Sequence, residues 1–202
     1  MPELFNIAEA AAIAEIDADT IRTALEKKSV TPSHRTRVGK AVRYRFSAGD
    51  ILFVKVLAEF PFALSKEDKQ SLSKVLANGS TQAACWSRHG TELVYQCGEM
   101  RLSFAIKAIE QKLERNLNTF RYGQQHVASS PDILAGEPVF RGTRIPLQHI
   151  ASLFRKDIPE REIREDHPQL SARDLQYARL ASRLLDKPGR PRKRLVMQRR
   201  AA

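Results

Sequence analysis

The amino-acid sequence predicts an α+β fold, mostly helical, and three observations carry that expectation. Capping signals followed by apolar residues three and four apart recur along the chain, the pattern of amphipathic helices. Strict alternation of apolar and polar residues is confined to short runs, clearest at 42–46 and 91–104. Glycine- and proline-dense stretches punctuate the 202 residues and divide them into segments 1–60, 61–122, 123–186 and 187–202.

The first segment opens with a short helix over 3–14, capped by Asn6, with Ile7, Ala11 and Ala14 at helical spacing. Ile16 plugs a tight turn, and Asp17 or Asp19 caps a second helix that runs to about Lys28. Ile21 and Leu25 lie on its inward face. Thr20, Thr23 and Lys27 form an exposed row, with Arg22 alongside. A helix, a short turn and a second helix with a polar outward face make a helix-turn-helix pattern. Residues 31–46 then read as a two-stranded wing, with Val42, Tyr44 and Phe46 on one side and Arg43 and Arg45 on the other. Ser47 and Asp50 open the next helix, which ends before Pro61.

Charge supports a nucleic-acid partner for this segment. The net charge is +11 and the isoelectric point about 10.0. It is concentrated rather than spread. Residues 27–49 hold seven Lys/Arg (Lys27, Lys28, Arg35, Arg37, Lys40, Arg43, Arg45) and no acid; residues 187–202 hold seven more and no acid. The remainder is slightly acidic. Two local patches on an acidic body suit phosphate binding better than general solubility.

The string "DADTIR", then "SVTP", the wing and "VRYRFSAGDI" resembles the MerR-type winged helix-turn-helix over about residues 4–60. Members that untwist promoters usually carry aromatics just after the recognition-helix arginine. Here Arg22 is followed by Thr23, Ala24 and Leu25, so the resemblance implies DNA docking without promoter distortion.

The middle segment is less informative. Ser65 with Asp68 caps a helix that stops near Gly79, and TELVYQ and EMRLSF read as two strands around Cys97-Gly98. Ile106, Ile109, Leu113, Leu117 and Phe120 then mark a helix. Its apolar seam either joins two copies or packs on its own strands. Cys85 and Cys97 have no metal-site spacing and read as half-buried thiols in a reducing cytosol.

In the third segment, VASSPDILAGEPVFRGTRIPLQHI is a fixed set of turns. Pro146 and Pro159 bracket one helix. Pro159, as first helical residue, opens a second that Pro168 ends, and Ser171 with Asp174 caps a third. The result is a small, helix-turn-helix-like bundle. Gly136, Glu137, Pro138, Arg141, Gly142, Thr143 and Arg144 form the densest motif, with "EDHPQLSARD" following. Gly142 is expected in a backbone conformation closed to other residues, and Arg144 is expected to anchor a carboxylate, with Glu137 as candidate. These two strings resemble the family known as domain of unknown function 433, common among antitoxins. The resemblance implies a toxin–antitoxin role beside a PIN-type ribonuclease toxin.

The tail, KPGRPRKRLVMQRRAA, resembles the AT-hook around Arg190, Pro191, Arg192, Lys193 and Arg194, with a solubilising extension as the plain alternative. No nucleophile signature, metal-ligand spacing or phosphate loop emerges, and Glu162, Glu165 and Asp166 read as a solvated acidic face. No catalytic residue, cofactor or metal is therefore expected. No membrane-spanning or leader segment is read either, and the expected location is cytoplasmic. The functional expectation is a DNA-binding antitoxin that represses its own operon on double-stranded DNA as a homodimer and neutralises a ribonuclease. A stand-alone transcription regulator is the alternative.

Overall fold

A computed structural model describes residues 3–38, 41–60, 63–76, 80–131 and 134–184. Helix makes up 54% and strand 19%, so the mixed, mostly helical composition holds. None of its helices is long and apolar enough to cross a membrane.

Helix α1 (Ile7–Ala14) begins at a reciprocal cap: Glu9 N–H donates to Asn6 Oδ1 (3.0 Å), and Asn6 N–H donates to Glu9 Oε2 (2.8 Å). It starts later than the sequence suggests, because residues 3–5 run to an isolated bridge between Phe5 and Phe46. Ala10 to Ala14 are all buried, so α1 is enclosed rather than amphipathic. Small side chains let four helices approach it closely: α2 (Ala18–Glu26), α3 (Ala48–Glu59), α5 (Lys107–His126) and α8 (Ala172–Leu184). Asp17, not Asp19, caps α2.

A hairpin, β1 (His34–Val38) and β2 (Ala41–Arg45), separates α2 from α3. Helix α4 (Lys66–Leu76) follows, opened by Ser65 with Asp68 as expected. Next comes an antiparallel meander, β3 (Gln82–Ala83), β4 (Trp86–His89), β5 (Glu92–Cys97) and β6 (Met100–Ala105). Only its last two strands are legible in sequence. Trp86 is fully buried and makes ring contacts with Tyr95 and with Phe60, the residue that ends α3. That contact seats the sheet on the first segment. Cys85 and Cys97 lie together; their mutual hydrogen bond, with burial second, pushes the Cys85 thiol up. Cys97 is exposed, not half-buried as expected, because it sits at the β5–β6 turn.

Helix α5 runs through residue 122, where the sequence suggests a boundary, so the middle and third segments share one helix. Its buried row is Leu113, Leu117, Phe120 and Gly123. The expectation that this row packs on its own strands or joins two copies needs correction: the row is covered within the chain, and the main partners of α5 are α8, α1 and α3. Phe120 meets Phe5 edge-on at 5.6 Å. Asn116 donates to the Ile13 carbonyl (2.8 Å), one of the acceptors left open at the end of α1. Just beyond, Glu15 receives Lys112 (2.6 Å) and lies 3.8 Å from Arg183. Burial pushes the Glu15 carboxyl up, but hydrogen bonds from Lys112 and Asn116 and the charge of Arg183 outweigh it and hold the group below the usual carboxylate range.

The third segment adds a short ribbon, β7 (Val127–Ala128) with β8 (Val139–Phe140), then α6 (Leu147–Arg155), α7 (Glu160–Asp166) and α8. Pro159 is the N-cap of α7 rather than its first residue, which the extended conformation at Pro159 (ψ 138°) dictates. Ser171 and Asp174 exchange hydrogen bonds at the start of α8. Helix α8 lies on α6, α5 and α1, so apolar packing is continuous from the first segment to the last described one.

The α5–α8 crossing depends on one small residue. A Cβ at Gly123 would fall 2.1 Å from ring carbons of Tyr177, which is itself buried. We expect Gly123→Ala to cost about 1–3 kcal/mol or more by overpacking. Urea unfolding measures it, and Tyr177→Ala in the same chain should remove most of the added penalty. A Gly123→Ala variant as stable as the parent would contradict this packing.

Candidate nucleic-acid interface

The sequence-derived contact residues fall on two elements. On α2, Thr20, Arg22 and Thr23 are exposed, as are Lys27, its C-cap, and Lys28 just beyond. The inward pair is Ile21, fully buried, and Leu25, packed against the core. Arg22 Nη1 lies 2.5 Å from Asp19 Oδ1 on the same helix. Both groups are exposed, so this pair adds little stability and leaves the guanidinium available at small cost.

Thr20, Thr23 and Lys27 line an open hollow of about 540 Å³ whose far wall includes Leu57, Phe60, Leu64 and Lys69. Sequence reasoning missed Lys69: within KEDKQSLSK it looks like any solvated helical lysine. Asp17 and Asp19 stand on the same rim and leave its charge mixed.

On the hairpin, register sorts the arginines. His34 pairs with Arg45, Arg35 with Tyr44, Thr36 with Arg43 and Arg37 with Val42. Directly opposed residues of an antiparallel pair share a face. One face therefore carries Arg35, Arg37, Val42 and Tyr44, and the other His34, Thr36, Arg43 and Arg45. This corrects the expectation of an apolar side opposed to a single arginine side. The sequence pattern of β2 alone could not reveal that β1 places Arg35 and Arg37 beside Tyr44. Arg35 lies over the Tyr44 ring at 5.9 Å, and Arg45 Nη1 is 3.9 Å from Glu9 on α1. Arg35, Arg37 and Arg43 are exposed. Lys40 lies outside the described residues, as do Arg190, Pro191, Arg192, Lys193 and Arg194.

The base of the hairpin is held by one carboxylate. Asp50 is 3% exposed. Its Oδ2 accepts the N–H of Ser33, before β1, at 2.9 Å and that of Ser47, after β2, at 2.8 Å. The Ser47 hydroxyl accepts the Asp50 N–H at 3.2 Å, so the cap of α3 and the clasp of the hairpin are the same group. Phe5 and Phe46 exchange backbone hydrogen bonds (2.9 and 2.8 Å) beside it.

The glycine-rich motif of the third segment is a tight turn. Thr143 N–H and Thr143 Oγ1 both donate to the Phe140 carbonyl (3.0 and 2.9 Å), and Ile145 N–H donates to Thr143 Oγ1 (3.1 Å). Gly142 sits in the turn at φ +78°, the left-handed region expected for it. Arg141 and Arg144 are exposed at its shoulders. The expected Arg144–Glu137 pair is absent: among the described residues neither makes an ion pair, because the turn directs Arg144 to solvent. Gly136 is also left-handed, and its carbonyl accepts the Ser129 hydroxyl at 2.5 Å; Glu137 and Pro138 lead from it into β8.

The acidic stretch of α7 is bridged: Glu165 receives Arg161 (2.9 Å), and Glu160 receives Arg164 (3.0 Å) and Arg179 (2.9 Å). Among the described residues no three His, Cys, Asp or Glu side chains converge as a metal site would need.

Residues 127–179, from β7 into α8, match the family described as protein of unknown function DUF433. That family is commonly associated with toxin–antitoxin-like proteins. No curated protein and no solved structure matches the chain.

Two outcomes follow from this geometry. Asp50→Ala should cost about 1–3 kcal/mol, since it leaves two part-buried N–H donors without their acceptor. Amide exchange at Ser33 and Ser47 should quicken with it; unchanged protection there would contradict the clasp. Gly142→Val should cost about 1–2 kcal/mol from φ alone, because a Cβ would meet no atom within 4 Å. Gly142→Asn, which tolerates that region, should cost clearly less in the same melting experiment; an equal cost would point to a steric cause instead.

Proposed function

We propose that this protein is a double-stranded-DNA-binding regulator of the antitoxin kind, built on a MerR-like winged helix-turn-helix over residues 1–60. The observation that carries the reading is the pairing of an exposed polar row on α2 with a hairpin bearing arginines on both faces. In this reading Thr20, Arg22 and Thr23 meet base edges in the major groove, while Lys27 and Lys28 meet phosphate. The hairpin enters edgewise between two phosphate rims, Arg35 and Arg37 facing one strand, Arg43 and Arg45 the other. A hairpin laid flat would need its arginines on one side only. The chain acts as a homodimer on paired half-sites, and the DUF433 segment takes a ribonuclease toxin as its partner. The family association in 127–179 supports that last part.

Gel-shift titration of the full chain on operator and random duplex tests the DNA reading. With roughly six phosphate contacts, log K should fall against log salt with a slope of about −5, and Arg35→Ala or Arg43→Ala should each reduce the slope by about 0.9 on any sequence. Arg22→Ala should instead cost about 1–3 kcal/mol at the operator and much less elsewhere. If neither wing variant weakens binding to random duplex, the wing does not touch phosphate. The toxin part is tested by co-purification with the product of the neighbouring gene, and recovery of this chain alone would leave the stand-alone regulator.

A further inference from the structure

A second basic feature lies away from the hairpin and was not legible in the sequence. Helices α1, α5 and α8 enclose a cleft of about 340 Å³ with Ala12 and Leu180 among its apolar lining. Arg115 stands on α5; Arg173, Arg179 and Arg183 stand on α8; Glu15, at the end of α1, is the one carboxylate in the lining. Four arginines against one acid is a surplus that the hairpin-centred reading does not use.

Two of these guanidinium groups, Arg115 and Arg173, face no carboxylate among the described residues, and the other two share theirs with a second base. Arg173 lies over the Tyr122 ring at 4.6 Å, and Arg179 over the Phe154 ring at 4.9 Å. Stacking fixes the plane of a guanidinium and leaves its N–H edges free to donate. Arg179 also reaches Glu160, which it shares with Arg164. Arg183 is 3.8 Å from Glu15, a carboxylate that Lys112 holds more closely. Arg115 makes no ion pair among the described residues. Thr119 and Gln176 add neutral hydrogen-bonding groups to the walls.

We propose that this cleft is a binding site for a small ligand carrying two or more phosphate groups. The size suits a small molecule and not a duplex, whose convex surface needs an open ridge. The arginines approach from two helices. A planar carboxylate matches one guanidinium fork, whereas tetrahedral phosphates present oxygens in several directions and can engage several at once. The occupant comes from outside the chain, because the one long segment beyond the described residues, 185–202, is itself basic and would be repelled. Glu15 both borders the cleft and opens the turn into α2. A ligand that draws Arg183 from Glu15 therefore acts beside the helix proposed to read DNA. The site itself rests on the cleft geometry, independent of the DNA reading.

Inorganic pyrophosphate is the probe, titrated calorimetrically into the full chain, with citrate as the carboxylate comparison and a short random duplex as the macromolecular one. We expect saturable one-to-one binding of pyrophosphate, tighter than citrate. The double variant Arg115→Gln/Arg173→Gln should weaken it at least about tenfold, since two charge-assisted contacts are lost. Glu15→Gln should strengthen it by removing the competing carboxylate. Arg35→Ala/Arg43→Ala should leave it unchanged, which separates failure of this site from failure of the DNA reading. Arg115 and Arg173 hold no carboxylate, so their loss spares the fold, and melting curves check this. Arg115→Gln alone, with no structural partner to lose, should still weaken binding. Three results would each overturn the proposal: no saturation with pyrophosphate, equal binding by the double variant, or citrate binding as tightly as pyrophosphate. Loss of duplex binding in the double variant with pyrophosphate binding intact would assign the cleft to DNA instead.

Discussion

A tyrosine ring against a glycine governs how this chain is joined. Gly123 gives α5 a bare patch of backbone, and Tyr177 of α8 fills it. With that contact α8 reaches both α5 and α1, so the DUF433-like segment and the helix pair at the start of the chain share one core. Side-chain burial along α5 follows from the same geometry. Leu113, Leu117 and Phe120 need covering, and helices from opposite ends of the sequence cover them. A larger residue at 123 would push α8 outward and open that seam along its length.

The electrostatic organisation follows from how the helices meet. Lys112, Asn116 and Arg183 converge on Glu15 where α1 turns into α2. The lowered carboxyl has a consequence for pH. Its contribution to stability is present above the ordinary carboxylate range and is lost as pH falls through the lowered folded value. Among the described residues, basic side chains in excess of such local pairs gather at two places, the hairpin and the α5–α8 cleft.

Local signals were legible wherever one residue or one short pattern determines the outcome. Asn6, Asp17, Ser47, Ser65 and Ser171 mark helix starts because a cap is a three-residue interaction written in order. Gly142 was readable for the same reason. What escaped reading depends on partners distant in sequence. Strand β4 presents Ser87, Arg88 and His89 after Trp86, so no alternation betrays it; it is a strand because β5 pairs with it. The two-faced hairpin needed the β1–β2 register, and the buried row of α5 gave no hint that α1 and α8 would cover it. The arginine cleft was the least visible of all. Arg115 lies some sixty residues from Arg173, and each is an ordinary surface residue of its own helix.

The Asp50 clasp has a consequence for how such a protein can change over generations. The hairpin is tied to the body at its base by one buried carboxylate and by the Phe5–Phe46 bridge, both outside the strands themselves. Beyond the clasp the strands pair chiefly with each other, and among the described residues Tyr44, packed on the core, and Arg45, beside Glu9 of α1, are their further ties to the body. Strands that keep Tyr44 and Arg45 but differ elsewhere could be grafted there with little cost to the core. A chain built this way carries a separable cassette: the exposed positions of the ribbon can drift quickly while the scaffold that presents them stays fixed.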